Sequence, residues 1–387
     1  MNPPHTVFLA HTAAPSGAEL ATMRLVAAMP GTRSTVVYTE DGPMLGLMAR
    51  RGIDTRVVTG EFDSRAMTIE RSGPRSLLIG GVGLVRLGWT LGATVRELEA
   101  TVVVAGSTKA MLMGAVAARR AGVPLIWHVH DRISTDYFGR WLAPLIRLLG
   151  WLAARGMIAN SRGTLSSLRT WRRHAVVAYP GVEFASGPES SELSTRPPQR
   201  PAAETVVAVV GRLAPWKGQD LFLRALAEVK TLPREVVLVG GTFFGEQDYR
   251  TELEALATAL SLPVTFTGHV DDPQPYLRDA DILVHCSVLP EPFGQVVVEG
   301  MHAGCAVIAT RPGGPEEIVD PGVNGLLVQA GDRAELTTAL DTLIADPALR
   351  AKLADAARVR ARDFDVAESG WIVTALVTEL SRKRRRR

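Results

Sequence analysis

Apolar runs of strand length alternate with helix-patterned segments along almost the whole chain, and that alternation limits the fold more than any other feature. In the first half the runs are TVFLAH (6–11), STVVYT (34–39), DTRVVT (54–59), TVVVAG (101–106), PLIWHVH (124–130) and GMIANS (156–161). Helical patterns such as GAELATMRLVAAM (17–29) and TKAMLMGAVAARRAG (108–122) lie between them. The second half repeats the scheme with TVVAVVG (205–211), EVVLVGG (235–241), PVTFTGH (263–269), DILVHCS (281–287), AVIAT (306–310) and GLLVQA (325–330). Continuous Val/Ile/Leu runs mark strands buried on both faces, and alternation with helices makes the sheets parallel.

The alternation fails once. PGVEFASGPESSELSTRPPQRPAAE (180–204) is rich in Pro, Ser and Glu without an apolar period, the pattern of a linker. The expectation is an α/β chain of two Rossmann-like, doubly wound parallel-sheet domains facing across a cleft, at residues 1–180 and 205–365 with a linker at 181–204. A length of 387 residues suits two domains. The last segment, 366–387, reads as a helix crossing back to the first domain and ending in a basic tail. Ligands of such sheets bind beyond the carboxyl ends of the strands.

Two features bear on partners. Residues 1–180 hold 21 Lys+Arg against 11 Asp+Glu, and residues 181–387 hold 22 against 29. A basic front half could steer a lipid phosphate or an anionic membrane surface, with the Arg382–Arg387 tail adding to it; the same asymmetry also serves solubility. The stretches 77–95 and 141–159 are too interrupted by Arg, Gly and Pro to span a bilayer. On a helix, Trp141, Leu145, Leu148, Leu149 and Leu152 form one stripe, for which a core-facing role is expected over an interfacial one. Two cysteines, Cys286 and Cys305, lack metal-ligand spacing and point to a reducing, cytoplasmic setting, as does an N-terminus without a signal pattern. The basic tail and pI near 9.0 lack the aromatic interleaving of a nucleic-acid binder.

The densest chemistry lies in PEPFGQVVVEGMHAGC (290–305). Glu291 falls in a loop after a strand, and Glu299 lies inside the following apolar helix. The amides around Phe293, Gly294, Gln295 and Val296 form a partial positive pole suited to phosphate. A buried Glu299 needs donors, which ribose hydroxyls would supply; alone, the two carboxylates read equally as solvated surface groups. In VVGRLAPWKGQD (209–220), Arg212 and Lys217 bring two cations to a strand end, suited to a departing diphosphate or to a solvated helix start. Gly313 and Gly314, in ATRPGGPEEIVDPGVNG (309–325), mark a third strand end where backbone must come close to something.

Taken in order, GRLAPWKG, TGHVDD, EPFGQVVVEGMHAGCAVIAT and GGPEEIVDPGVNGLL resemble the C-terminal domain of family 4 glycosyltransferases, retaining enzymes of the GT-B fold that use sugar nucleotides. PSGAEL (15–20), WHVHD (127–131) and IANSRGT (158–164) resemble the N-terminal domain more weakly. The resemblance implies that Arg212 and Lys217 hold the donor diphosphate, Glu299 binds ribose, and Glu291 binds the transferred hexose with the Phe293 and Gly294 amides. Backbone near Val270 would meet the base, Gly17 would approach the donor phosphate, and His130, preferred over His128, would contact the sugar. Ser16 stands where the family often has a first glycine. Front-face attack without a metal cofactor is implied; DAD (279–281) resembles a D-x-D metal motif but runs into a strand. The acceptor would be lipid-linked or a small molecule, on the inner face of a membrane or in the cytoplasm. A sugar-nucleotide epimerase or hydrolase, or a two-lobed binding protein, is the competing expectation.

Overall fold

The computed structural model describes residues 3–60, 74–184, 200–242 and 245–385. The chain divides into two compact units, residues 1–180 with 366–387, and residues 181–365. Most of the expected linker, residues 185–199, lies outside the described residues, as does the end of the tail, 386–387.

In the first unit the elements run β1 (His5–Ala10), α1 (Gly17–Ala28), β2 (Arg33–Tyr38), α2 (Pro43–Arg50), β3 (Asp54–Val57), α3 (Pro74–Glu97), β4 (Val102–Ala105), α4 (Thr108–Ala121), β5 (Leu125–Val129), α5 (Thr135–Ala153), β6 (Gly156–Ala159), α6 (Arg162–Ser166) and β7 (His174–Val177). The second unit continues with β8 (Val206–Val210), α7 (Gln219–Leu226), β9 (Glu235–Val239), α8 (Gln247–Ala259), β10 (Val264–Gly268), α9 (Gln274–Asp279), β11 (Ile282–Val284), α10 (Gln295–Ala303), β12 (Ala306–Arg311), α11 (Pro315–Ile318), β13 (Leu326–Gln329), α12 (Arg333–Ala345) and α13 (Pro347–Ala361). The chain then returns to the first unit as α14 (Val366–Arg385).

Among the described residues both sheets are wholly parallel, in the orders β3-β2-β1-β4-β5-β6-β7 and β10-β9-β8-β11-β12-β13. Strand alternation explains the continuous apolar runs. In the first unit Val7, Leu9, Val103 and Trp127 enter one core with α3, α4 and α5. Phe8, Val36, Val104 and Ile126 enter a second core, on the opposite sheet face, with α1, α2 and α14. Gly370 of α14 meets Ala28 so closely that a Cβ there would lie 2.3 Å from its carbonyl oxygen, which holds α14 against α1. Edge strand β7 coincides with a short apolar run, AVVAY (175–179), that the sequence reading did not take as a strand, and its residues are half-buried throughout.

The structure overturns the expected orientation of the α5 stripe. Trp141 is 78% exposed, Leu145 48%, Leu148 39% and Leu152 59%, and only Leu149 turns partly inward. The helix seats instead through Ala143, Ile146 and Gly150, all buried. A Cβ on Gly150 would lie 2.2 Å from the Trp127 ring, so small residues bring the backbone down onto the sheet and leave the large ones outside. Gly139, at φ +75°, kinks the helix just before this segment. Among the described residues no helix is long and apolar enough to cross a membrane.

Gly150→Ala should cost about 1–3 kcal/mol through overpacking against Trp127. A urea midpoint unchanged from the parent chain would show that α5 does not sit on that ring.

Candidate active site

In the second sheet the strand order reverses between β8 and β11, where a doubly wound fold opens a crevice at the carboxyl ends. The segments leaving those two strands are tied together. Val288 N–H donates to the Trp216 carbonyl at 2.9 Å, and Cys286 Sγ approaches the Lys217 carbonyl at 3.3 Å. Gly218, at φ +70°, is required there because a Cβ would fall 2.2 Å from the Cys286 carbonyl oxygen.

This docking delivers Lys217 to Glu291, Nζ to Oε2 at 2.8 Å. The same oxygen accepts from Ser287 Oγ at 2.9 Å and lies 3.3 Å from His285 Nε2. Thr310 N–H points at His285 Nδ1, 3.4 Å away, with Thr310 Oγ1 at 3.2 Å; that assigns the proton to Nε2, facing the carboxylate. Burial alone would raise the Glu291 carboxyl, but the Lys217 charge and the His285 hydrogen bond outweigh it and hold the group well below the usual carboxylate range. Arg212 pairs with Glu246 at 3.2 Å rather than sharing the carboxylate of Lys217. The two cations meet on Trp216, 5.9 Å and 4.2 Å from its ring centre.

Gly294, at φ +94°, turns the chain into α10, whose first residues are Gln295 and Val296. Glu299 is buried on that helix and accepts from Gln295 Nε2 at 2.8 Å. Gly313 and Gly314 are explained by the chain itself: Cβ atoms there would lie 2.8 Å from Glu291 O and 2.2 Å from Phe293 Cα. Gly314 N–H donates to the Glu291 carbonyl at 2.8 Å, so this loop braces the one carrying Glu291 and buried Phe293. Val270 is half-buried just beyond β10. Asp279 and Asp281 of the DAD segment are clamped by Arg200, at 2.6 Å and 3.0 Å, and Asp281 also accepts from Val206 N–H.

The first sheet reverses between β1 and β4, and polar groups gather at its carboxyl edge as well. Gly17 opens α1, and a Cβ there would meet nothing within 4 Å. Ser16 Oγ donates to Glu19 Oε2. Burial pushes the Glu19 carboxyl up to about 7 against that hydrogen bond. His11 Nδ1 lies 3.0 Å from Ser107 Oγ, and Glu40 accepts from Thr12 and the Ala13 amide. The His128 and His130 rings are 4.0 Å apart, and His128 Nδ1 and His130 Nε2 are buried with no hydrogen-bond partner. Burial lowers the His130 imidazole to about 4, and His128 further. His130, only half-buried, is the more reachable of the two.

Comparison with known proteins agrees on one family. The model described as Glycosyltransferase Family 4 matches residues 44–186, and that described as Glycosyl transferases group 1 matches residues 191–360. The chain belongs to glycosyltransferase family 4. Anabaena HepE, solved in complex with UDP and glucose, is 29% identical; the match covers 97% of this chain and all of that one, with a TM-score of 0.81. The D-inositol 3-phosphate glycosyltransferase of Arthrobacter sp. (strain FB24) is 30% identical over 285 residues, 68% of this chain and 66% of that protein. The lipopolysaccharide core biosynthesis glycosyltransferase LpsE of Rhizobium meliloti is 34% identical over 157 residues, 40% of this chain and 44% of that protein. The chain thus spans about half to two thirds of these two curated relatives.

For this family 4 chain, the sequence reading picked out Lys217, Glu291 and Glu299 but not the residues that orient them. His285, Ser287 and Thr310 were missed, although each is a polar residue closing an apolar strand run, a signal that could have found them. His11, which closes the run TVFLAH in the same way, and Glu19, inside PSGAEL, were also passed over, and Glu40 and Glu246 stand in no motif quoted above.

The two shifted carboxyls predict opposite pH behaviour. Glu291, depressed when folded, stabilises above its unfolded value of about 4.3 and loses that contribution as pH falls. The stability deficit of Glu291→Gln should therefore shrink between pH 7 and pH 3. Glu19, raised to about 7, contributes fully below about pH 4.3 and loses its contribution as pH rises through 7. Glu19→Gln should thus gain on the parent from pH 5 to pH 8 in urea midpoints; a pH-independent difference would refute the raised value.

Proposed function

We propose that this chain transfers a hexose from a nucleoside-diphosphate sugar to an acceptor hydroxyl with retention of configuration and without a metal. The observation carrying the proposal is the convergence of Lys217, His285 and Ser287 on one oxygen of Glu291, beside the amino end of α10, whose interior holds the buried Glu299. HepE, solved with UDP and with UDP-glucose, supports a uridine donor.

Diphosphate oxygens would lie against Lys217, Arg212 and the amides of Gly294, Gln295 and Val296, with Arg212 turning from Glu246. Glu299 would take the ribose hydroxyls, and backbone near Val270 the base. All three Glu291 contacts named above fall on Oε2, so Oε1 is the atom to meet a sugar hydroxyl. The acceptor hydroxyl attacks the anomeric carbon on the face from which diphosphate leaves. As the new C–O bond forms, the old one breaks, and a leaving phosphate oxygen takes the hydroxyl proton. Such a step needs fixed positive charge and aligned dipoles more than a protein base. On the first unit, Gly17 gives open backbone and His130 an unpartnered Nε2, suited to the donor phosphate and the transferred sugar. The acceptor is proposed as a lipid-linked sugar or small-molecule hydroxyl.

Thermal melts with UDP, GDP, ADP and TDP, each with and without magnesium, test the donor. UDP should stabilise the chain independently of magnesium, and Glu299→Ala should abolish the shift. Lys217→Ala should lower kcat by about 10²–10³ if the cation stabilises the leaving group. No shift with any nucleotide, or one that requires magnesium, would overturn the proposal.

A further inference from the structure

α5 has two apolar faces, and only one is used by the core. At 3.6 residues per turn, Trp141, Leu145, Leu148 and Leu152 fall within an arc of roughly 60°. That arc lies opposite the buried Ala143, Ile146 and Gly150, so the stripe points straight away from the sheet. At its carboxyl end Trp171, 59% exposed, stacks beside Trp151, with ring centres 6.3 Å apart. A row of Trp and Leu this exposed is uncommon on a monomer surface and marks a place where something else binds.

Charge identifies the occupant. From Tyr137 to Val182 the chain carries seven arginines and neither Asp nor Glu. Several of these arginines flank the stripe. Arg140 lies over Trp141 at 4.8 Å, and Arg172 over Trp171 at 4.4 Å. Arg169 lies over Trp151 at 4.5 Å. Apolar residues in a line on a convex helix, with Trp near both ends and arginines alongside, match the boundary between acyl chains and anionic headgroups. A second copy of the chain would set seven arginines against seven, which disfavours self-association through this face.

We infer that the outward face of α5, Trp141, Leu145, Leu148 and Leu152 with its flanking arginines, docks this chain on an anionic lipid bilayer. α5 lies with the core on one face of the first sheet and α14 with the core on the other. The docking element is therefore α5 rather than the basic segment in which α14 ends. The inference stands on geometry and charge and does not depend on the reaction proposed above.

Flotation of the full chain with phosphatidylcholine vesicles, with and without about one-third phosphatidylglycerol, tests it. The chain should float only with the anionic vesicles, with a blue shift of tryptophan emission. The double variant Leu145→Ser, Leu152→Ser should bind about tenfold more weakly. A chain lacking 383–387 should retain most of its binding. Both variants should keep the parent melting temperature and the parent's response to UDP, which separates a failure of docking from a failure of the donor proposal. Failure of the parent to float, or double-variant binding equal to the parent, would overturn the inference. So would loss of binding on tail deletion alone, or a stripe-dependent dimer that ignores vesicles.

Discussion

A carboxylate with little access to water sits where the segments leaving β8, β11 and β12 meet, and much of the second unit's carboxyl edge is arranged to keep it ionised. Leaving Glu291 unpaired would cost several kcal/mol, so Lys217, His285 and Ser287 must all arrive at one atom. Lys217 arrives because Gly218 lets its loop touch the Cys286 carbonyl; His285 is aimed because Thr310, one strand over, occupies its other nitrogen. Gly313 and Gly314 brace the loop from the far side. Residues that look like separate motifs in the sequence are thus parts of a single electrostatic solution.

The central strands were readable because a parallel sheet covered on both faces leaves few polar positions within its runs. Twelve of the thirteen described strands coincide with the apolar runs read as strands, and the remaining one, the edge strand β7, falls on a short run, AVVAY (175–179), that was passed over. The α5 orientation was not readable. Periodicity shows that Trp141, Leu145, Leu148 and Leu152 share a face, yet it cannot say whether large or small residues meet the sheet. Trp127 decided that question from β5, through the missing side chain of Gly150.

Legibility of the candidate site followed the same division. Lys217 and Glu291 were found because they break an apolar or glycine-rich context. The histidine and hydroxyls that set their state lie at strand ends that look like ordinary termini. In the first unit, His11 closes the β1 run and Glu19 opens α1 within PSGAEL, but they meet around the β1–β4 reversal only through the fold, so neither position by itself shows that they share a site.

Arg200 carries a consequence for where the second unit begins. Counted by its sheet, that unit starts at Val206, and a cut at Thr205 would keep every strand. Counted by charge it starts earlier. Arg200 holds Asp279 and buried Asp281, and its own carbonyl accepts from the guanidinium of Arg350, which also reaches the carbonyls of Leu343 and Ile344 at the end of α12. A fragment trimmed to the sheet would strip the cation from Asp281 and remove an acceptor from a fully buried arginine. The smallest self-sufficient piece of this unit is set by an ion cluster outside its strands.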